Sequence, residues 1–199
     1  SSSHGSPLGN DEVILTRKKL NWPFKPFEVP NDIMSSWNNA GRRSLPYYNK
    51  WKSNLKKLSL KKRSEYERRI KGKLPNSLKS VINTFKKDCS LKAQSKATRQ
   101  SSEMVINAIA PHLPELIGGS ADLTGSNNTK GSLMNPLDSS HYTGNYIYYG
   151  IREHAMAAIM NGMALHKGII PFGGTFLIFS DYCKPSIRLS ALMNQRVIY

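Results

Sequence analysis

Glu153 stands at the head of a stretch that is otherwise small and apolar, GIREHAMAAIMNGMALHKG over residues 150–168. A single carboxyl group in such surroundings can hold a hydrogen bond to a ring nitrogen and share its proton. Two plainer explanations fit the same residue. It is an acid in the first turn of a helix, favourable to the dipole, or it is a partner for Arg152. Phe176, Phe179 and Tyr182 follow at spacings of three, which places their rings on one face of a helix. Such a stripe is more often core than a cofactor pocket. Gly118-Gly119-Ser120-Ala121-Asp122 comes after an apolar run, so bare backbone or Asp122 could face a ligand at the C-terminal end of a strand. That run contains neither GxGxxG nor GxxxxGK[ST] and gives no nucleotide fingerprint. Arg99 at a helix start and Ser126 in a loop are able to bind phosphate, and each is equally an ordinary surface residue. His4 beside Gly5 decides nothing by itself. Asn127-Asn128-Thr129 spells a glycosylation sequon, which without a secretory signal reads as chance. Cys89 and Cys183 have no CxxC partner and no histidines at ligand spacing, so no metal-ligating residue is assigned.

These residues need elements to hold them, and the charge distribution separates two regions. The net charge of +16 lies wholly before Gln100, where 23 Lys and Arg face 7 Asp and Glu; the remainder carries 6 of each. The basic excess therefore describes the front half and not the whole chain. Between residues 42 and 73 there are 13 Lys and Arg against Glu65 and Glu67 alone. Nucleic acid could bind such a run, but its apolar residues keep amphipathic spacing, so a solvated helix face is expected and a nucleic-acid partner is not. No apolar run reaches the roughly 20 residues that span a bilayer, and no membrane association is expected.

The front half reads as helices. Asn10 is a candidate cap for a helix to about Leu20. Residues 22–30, WPFKPFEVP, form an extended strap that packs its rings. Asn31 opens a short helix to about Asn38. Leu45, Tyr48, Trp51, Leu55 and Leu58 follow helical spacing, residues 59–70 continue as a second helix, and Asn76 caps another through about Lys87. A polar connector spans 88–96. From Thr98 the text changes character. A helix to Ala110, a buried strand at 116–122, a loop over 124–140, a strand at 146–149 and a helix over 153–166 follow in order. Then come a strand at 169–172, a helix over 176–193 crossing Pro185, and a further strand starting at Val197. Strands alternating with helices of this length predict an α/β fold, a partial parallel sheet covered by helices and preceded by a basic helical linker.

Several long motifs occur together and in order. They are Leu116-Ile117-Gly118-Gly119-Ser120-Ala121-Asp122-Leu123-Thr124, Gly144-Asn145-Tyr146-Ile147-Tyr148-Tyr149-Gly150-Ile151-Arg152-Glu153-His154-Ala155-Met156 and Pro171-Phe172-Gly173-Gly174-Thr175-Phe176-Leu177, followed by Arg188-Leu189-Ser190-Ala191-Leu192. With His4-Gly5-Ser6-Pro7-Leu8-Gly9 and the Trp22-Pro23-Phe24 strap, the chain resembles the transketolases over nearly its whole length, least so from about Gly41 to Lys96. The resemblance implies thiamine diphosphate as cofactor, with Mg2+ or Ca2+, bound between a diphosphate-binding domain of one subunit and a pyrimidine-binding domain of the other. It also implies a cytoplasmic homodimer of the pentose phosphate pathway that moves a two-carbon ketol unit from a ketose phosphate to an aldose phosphate. The position matching Glu153 would hydrogen-bond the aminopyrimidine ring and drive its proton transfer. Those matching Phe176, Phe179 and Tyr182 would line the pyrimidine pocket. Arg99 and Ser126 match residues that hold the sugar phosphate, His4 one that touches cofactor and substrate, and Asp122 an acid near the cofactor.

On this resemblance, residues 1–38 are the end of the diphosphate-binding domain with the strap, 39–95 a basic helical linker and 96–199 a pyrimidine-binding domain. The family usually has proline where Gly125 stands and leucine where Asn128 stands, both beside Ser126. The GDG…N motif that holds the divalent metal is not in this sequence, so the metal ligands are expected outside it. Both ends read as cuts, and the chain is expected to be a fragment without activity of its own. A dihydroxyacetone synthase, a basic nucleic-acid-binding module and an inactive interaction protein are the alternatives.

Overall fold

The computed structural model describes residues 2–199 and divides into a first unit ending at Leu58 and a second, Ser59–Tyr199. In the first unit a 3-10 turn at Ser2–His4 precedes α1 (Asn10–Lys19), α2 (Asn31–Arg42) and α3 (Leu45–Lys57). α1 carries Asp11 and Glu12 in its first turn and Arg17, Lys18 and Lys19 in its last, the charge order that complements the helix dipole. The strap between α1 and α2 sets Trp22 edge-on to Phe24, with centroids 5.2 Å apart. None of the described residues of this unit is buried. α2 runs four residues beyond the expected end, through Gly41. The caps are Gly9 and Pro30 in place of Asn10 and Asn31, and Ser77 in place of Asn76 in the second unit, one-residue shifts of the kind usual at helix ends.

The second unit holds α4 (Leu60–Ile70), α5 (Leu78–Lys92), α6 (Thr98–Ile109), β1 (Leu116–Ser120), α7 (Thr124–Asn127), β2 (Tyr146–Tyr148), α8 (Glu153–His166), β3 (Ile170–Gly174) and α9 (Ser180–Leu192). α5 absorbs the first part of the expected connector and closes on Ala93 in the left-handed region, φ 37°. The expected loop after β1 begins with the short helix α7. The three strands are parallel in the order β2-β1-β3, pairing Gly118 with Tyr146 and Phe172. The strand expected at Val197 is a single parallel bridge between Phe172 and Ile198.

Helices cover both faces of the sheet, as parallel strands require. On one face Leu78 of α5 and Ile106 of α6 pack with Leu116, Met134, Tyr146 and Phe172. On the other, Met156, Ala157 and Met160 of α8 and Cys183 of α9 pack with Ala121 and Tyr149. α8 comes so close to β3 that a Cβ on Gly173 would lie 2.7 Å from the sulfur of Met160, so any larger residue there would have to push that side chain aside. α8 and α9 are pinned by buried polar groups: Asn161 Nδ2 donates to the Ser186 carbonyl at 2.9 Å, and the Ser190 hydroxyl to Asn161 Oδ1 at 2.5 Å. The basic run is not wholly a solvated face. Arg68 of α4 turns inward and grips Glu115, the residue before β1, whose side chain is 3% exposed. Among the described residues no helix is long and apolar enough to cross a membrane.

Candidate functional site

The C-terminal ends of β1, β2 and β3 lie along one edge of the sheet, and each strand hands on to a segment carrying a site residue. After β1 comes Asp122, after β2 comes Glu153, and after β3 come Phe176, Phe179 and Tyr182. The connection after β1 packs Met134 into one core, while α9 after β3 packs Cys183 into the other. Adjacent parallel strands whose connections leave to opposite faces open a crevice at their C-terminal edge, the usual ligand position of such sheets. A cleft of about 440 Å³ is present there, lined by Ala121, Asp122, Leu123, Ile151, Glu153, Phe179 and Tyr182.

Glu153 is the first residue of α8 and is half-buried. Arg152 does not pair with it: Arg152 Nη1 donates to the Tyr149 carbonyl at 3.0 Å. The carboxylate instead accepts from the Thr175 hydroxyl at 3.5 Å, and the Cys183 thiol sits 3.3 Å from the Glu153 carbonyl. Burial, reinforced by Glu153, pushes the Cys183 thiol up, so it stays protonated at neutral pH. Asp122 takes a left-handed conformation, φ 60°, which aspartate tolerates better than most residues.

The aromatic stripe is built differently from the single helix expected. Phe176 is extended, Leu177–Phe179 form a 3-10 turn, and α9 starts only at Ser180. A 3-10 turn repeats every three residues, so the spacing still stacks the rings. Phe176 and Phe179 are 6.1 Å apart at 17°, and Phe179 and Tyr182 6.0 Å apart at 21°. The result is a flat wall that runs out of the acid cleft into a second one. That second cleft, of about 500 Å³, is lined by Arg99, Gln100, Gly125, Ser126, Asn128 and Phe176. Arg99 lies in the first turn of α6, is exposed and makes no ion pair among the described residues. His4 belongs to the first unit, where it closes the turn Ser2–His4 and is exposed.

Sequence reasoning missed the polar network beneath the clefts. The buried Ser120 hydroxyl donates to the Gly174 carbonyl at 3.1 Å and accepts from Leu123 N at 3.2 Å and Asn127 Nδ2 at 2.9 Å. Thr129 donates to Asn127 Oδ1 at 2.7 Å, and the Tyr146 hydroxyl bonds Thr129 at 3.0 Å and Thr124 at 2.8 Å. These bonds tie the C-terminal ends of β1 and β3 and the first residue of β2 to α7, which carries Ser126. Asn127 and Thr129, the outer residues of the triplet Asn127-Asn128-Thr129, belong to this network.

A family model described as "Transketolase, pyrimidine binding domain" matches residues 94–199, more than half of the chain. The chain belongs to the transketolase family. A second model, "Transketolase, thiamine diphosphate binding domain", matches residues 1–75. A transketolase of Rhodobacter capsulatus is 45% identical over 196 residues, 98% of this chain and 29% of the relative. The solved transketolase of Leishmania mexicana superposes with a TM-score of 0.78 at 33% identity, covering 97% of this chain and 29% of that one. A Pichia stipitis transketolase in complex with sedoheptulose-7-phosphate gives a TM-score of 0.76 at 34% identity, over 96% and 29%. The chain thus spans under a third of the length of these transketolases. Among its described residues no cluster of His, Cys, Asp and Glu side chains is placed to hold a metal ion.

Proposed function

We propose that the intact protein is a transketolase, moving a two-carbon ketol unit from a ketose phosphate to an aldose phosphate, and that this chain supplies the pyrimidine half of its thiamine diphosphate site. The observation that carries this reading is the meeting of Glu153, Asp122, Phe179 and Tyr182 in one cleft. The donor set suits the group: two carboxylates, Glu153 and Asp122, and a flat aromatic wall for a planar ring. Thiamine diphosphate, when bound, supplies an electron sink for breaking and forming a carbon–carbon bond beside a carbonyl.

The chain's own residues have separable tasks. Glu153, fixed at the start of α8, holds a proton against a pyrimidine nitrogen. Phe179 and Tyr182 lie along the ring and exclude water, with Phe176 extending the wall. Asp122 flanks the cofactor from the end of β1. Arg99 and Ser126 take the sugar phosphate at the far end of the wall, Arg99 by charge-assisted hydrogen bonds, and His4 contacts cofactor and substrate. Mg2+ or Ca2+ is held by residues outside this chain. Ile151, which lines the cleft, and Leu177 and Ile178, in the turn that carries Phe179, are exposed by 80%, 89% and 71%; this supports a homodimer that closes the site with the other subunit's diphosphate-binding domain. Residues 1–38 are the end of that domain in this subunit, 39–95 the linker and 96–199 the pyrimidine-binding domain. The protein works in the cytoplasm, within the pentose phosphate pathway, a setting that suits two free cysteines.

The test is a coupled assay of the intact protein with thiamine diphosphate, Mg2+, a ketose phosphate donor and an aldose phosphate acceptor. Ketol transfer that disappears without the cofactor is expected. Cofactor binding with no transfer to any aldose phosphate would overturn the reading.

A further inference from the structure

Arg99 and Glu103 are four residues apart on α6, the spacing at which opposite charges on a helix meet. The same chain shows that pairing elsewhere: on α4, Arg63 and Glu67, in the same order and spacing, form an ion pair at 3.0 Å. Arg99 and Glu103 do not pair. Glu103 Oε2 instead accepts a hydrogen bond from Asn128 Nδ2 at 2.6 Å, and a carboxylate can only accept, so the amide nitrogen faces it. Asn128 stands directly after α7 in the left-handed region, φ 56°, a conformation asparagine tolerates, and its own N–H donates to the Thr124 carbonyl at 3.1 Å. The side chain that diverts Glu103 is thus held by the same short helix that carries Ser126. Arg99, Ser126 and Asn128 line the second cleft and Glu103 does not.

We propose that Asn128 is a positioning residue for anion recognition: it holds the Glu103 carboxylate away from Arg99, so that the guanidinium stays free for a phosphate monoester. The inference rests on the reading of Arg99 as the phosphate ligand. Without Asn128, Glu103 swings one helical turn to Arg99, as Glu67 does to Arg63, and both neutralises the cation and presents a negative charge to the incoming phosphate. The Glu103–Asn128 bond is then more than a tie between α6 and α7.

The experiment uses the intact holoenzyme with a ketose phosphate donor and the same ketose without its phosphate. The variants are Asn128→Gly, whose backbone suits the left-handed position, Asn128→Ala as a second truncation, Glu103→Gln, Arg99→Ala and the double variant Asn128→Gly/Glu103→Gln. Asn128→Gly is expected to raise KM for the phosphorylated donor roughly three- to tenfold, the scale of one misplaced charge near a partly exposed site, with a much smaller change in kcat. KM for the unphosphorylated donor is expected to move much less. Glu103→Gln alone keeps KM near wild type. Added to Asn128→Gly it restores KM to within about twofold of wild type, because the side chain that swings no longer carries a charge. A tie of purely structural importance would stay broken in the double variant, so a KM left high there overturns the proposal. An unchanged KM in both truncations, with a raised KM in Arg99→Ala, overturns it while leaving the phosphate reading standing. An unchanged KM in Arg99→Ala overturns both.

Discussion

Arg68 holds Glu115 with both terminal nitrogens, Nη1 at 2.7 Å from one carboxylate oxygen and Nη2 at 2.9 Å from the other. Glu115 is buried just ahead of β1, so the central strand is fastened at its N-terminal end to α4, at the edge away from the candidate site. Glu65 and Arg69 complete the cluster. Removing one partner of a buried, forked pair strands the other charge, so Arg68→Ala is expected to cost about 3–5 kcal/mol. Arg63→Ala, which breaks an exposed pair on the same helix, is expected to cost under about 0.5 kcal/mol. Denaturant unfolding of the intact protein measures both, and equal costs would show that the Glu115 pair is no anchor.

The same cluster gives a pH dependence. Hydrogen bonds from Arg68 first, and then from Arg69, hold the Glu65 carboxyl down at about 2 against its ordinary 4.5. A carboxyl lowered by folding stabilises the fold fully above its unfolded value and loses that contribution as pH falls through the folded one. The stability difference between wild type and Glu65→Gln should therefore be constant above pH 4.5 and shrink toward pH 2. Unfolding at a series of pH values reads it directly, and a difference still undiminished at the acid end would refute this origin.

Ser120 links the ends of β1 and β3 to α7 through three hydrogen bonds. Ser120→Ala leaves the Leu123 N–H and the Asn127 amide without their acceptor, at about 1–3 kcal/mol. Amide exchange of residues 121–129 should quicken more than exchange in α9. Uniform quickening over the second unit would mean that the bonds stabilise the fold generally and do not hold the site's loops in particular.

Glu153→Gln keeps the shape of the side chain and removes its ability to give and take a proton. Ketol transfer by the intact protein is expected to drop at least about 100-fold, the lower end of what a positioned acid–base group contributes, with thermal stability little changed. A rate near wild type would remove Glu153 from the proton-handling role.

The α/β half was legible because local signals agree there. Apolar runs of strand length alternate with helical text and end at glycine or proline, and the parallel sheet follows. The aromatic wall was only half legible. A spacing of three fits a 3-10 turn as well as an α-helix, so Phe176, Phe179 and Tyr182 could be placed on one face without the right backbone. Glu115 gave no warning, since its partner Arg68 lies 47 positions away in the chain and inside a run that reads as solvated. Ser120, Asn127 and Asn128 were hidden for a similar reason: each is an ordinary turn residue by type, and its importance comes from partners that only folding brings near. Arg99 and Ser126 were paired only by the family resemblance, not by their types or spacing, and in the fold they share a cleft where the Asn128–Glu103 hydrogen bond ties α7 to α6.

We propose that the cleft between the ends of β1, β2 and β3 receives the pyrimidine ring of thiamine diphosphate, with Glu153 as its proton partner. The most direct measurement is a crystal structure of the intact protein with the cofactor bound. A pyrimidine nitrogen is expected roughly 2.6–3.2 Å from a Glu153 carboxylate oxygen, with the ring lying along Phe179. A cofactor bound with its pyrimidine elsewhere, and Glu153 left facing solvent, would contradict it.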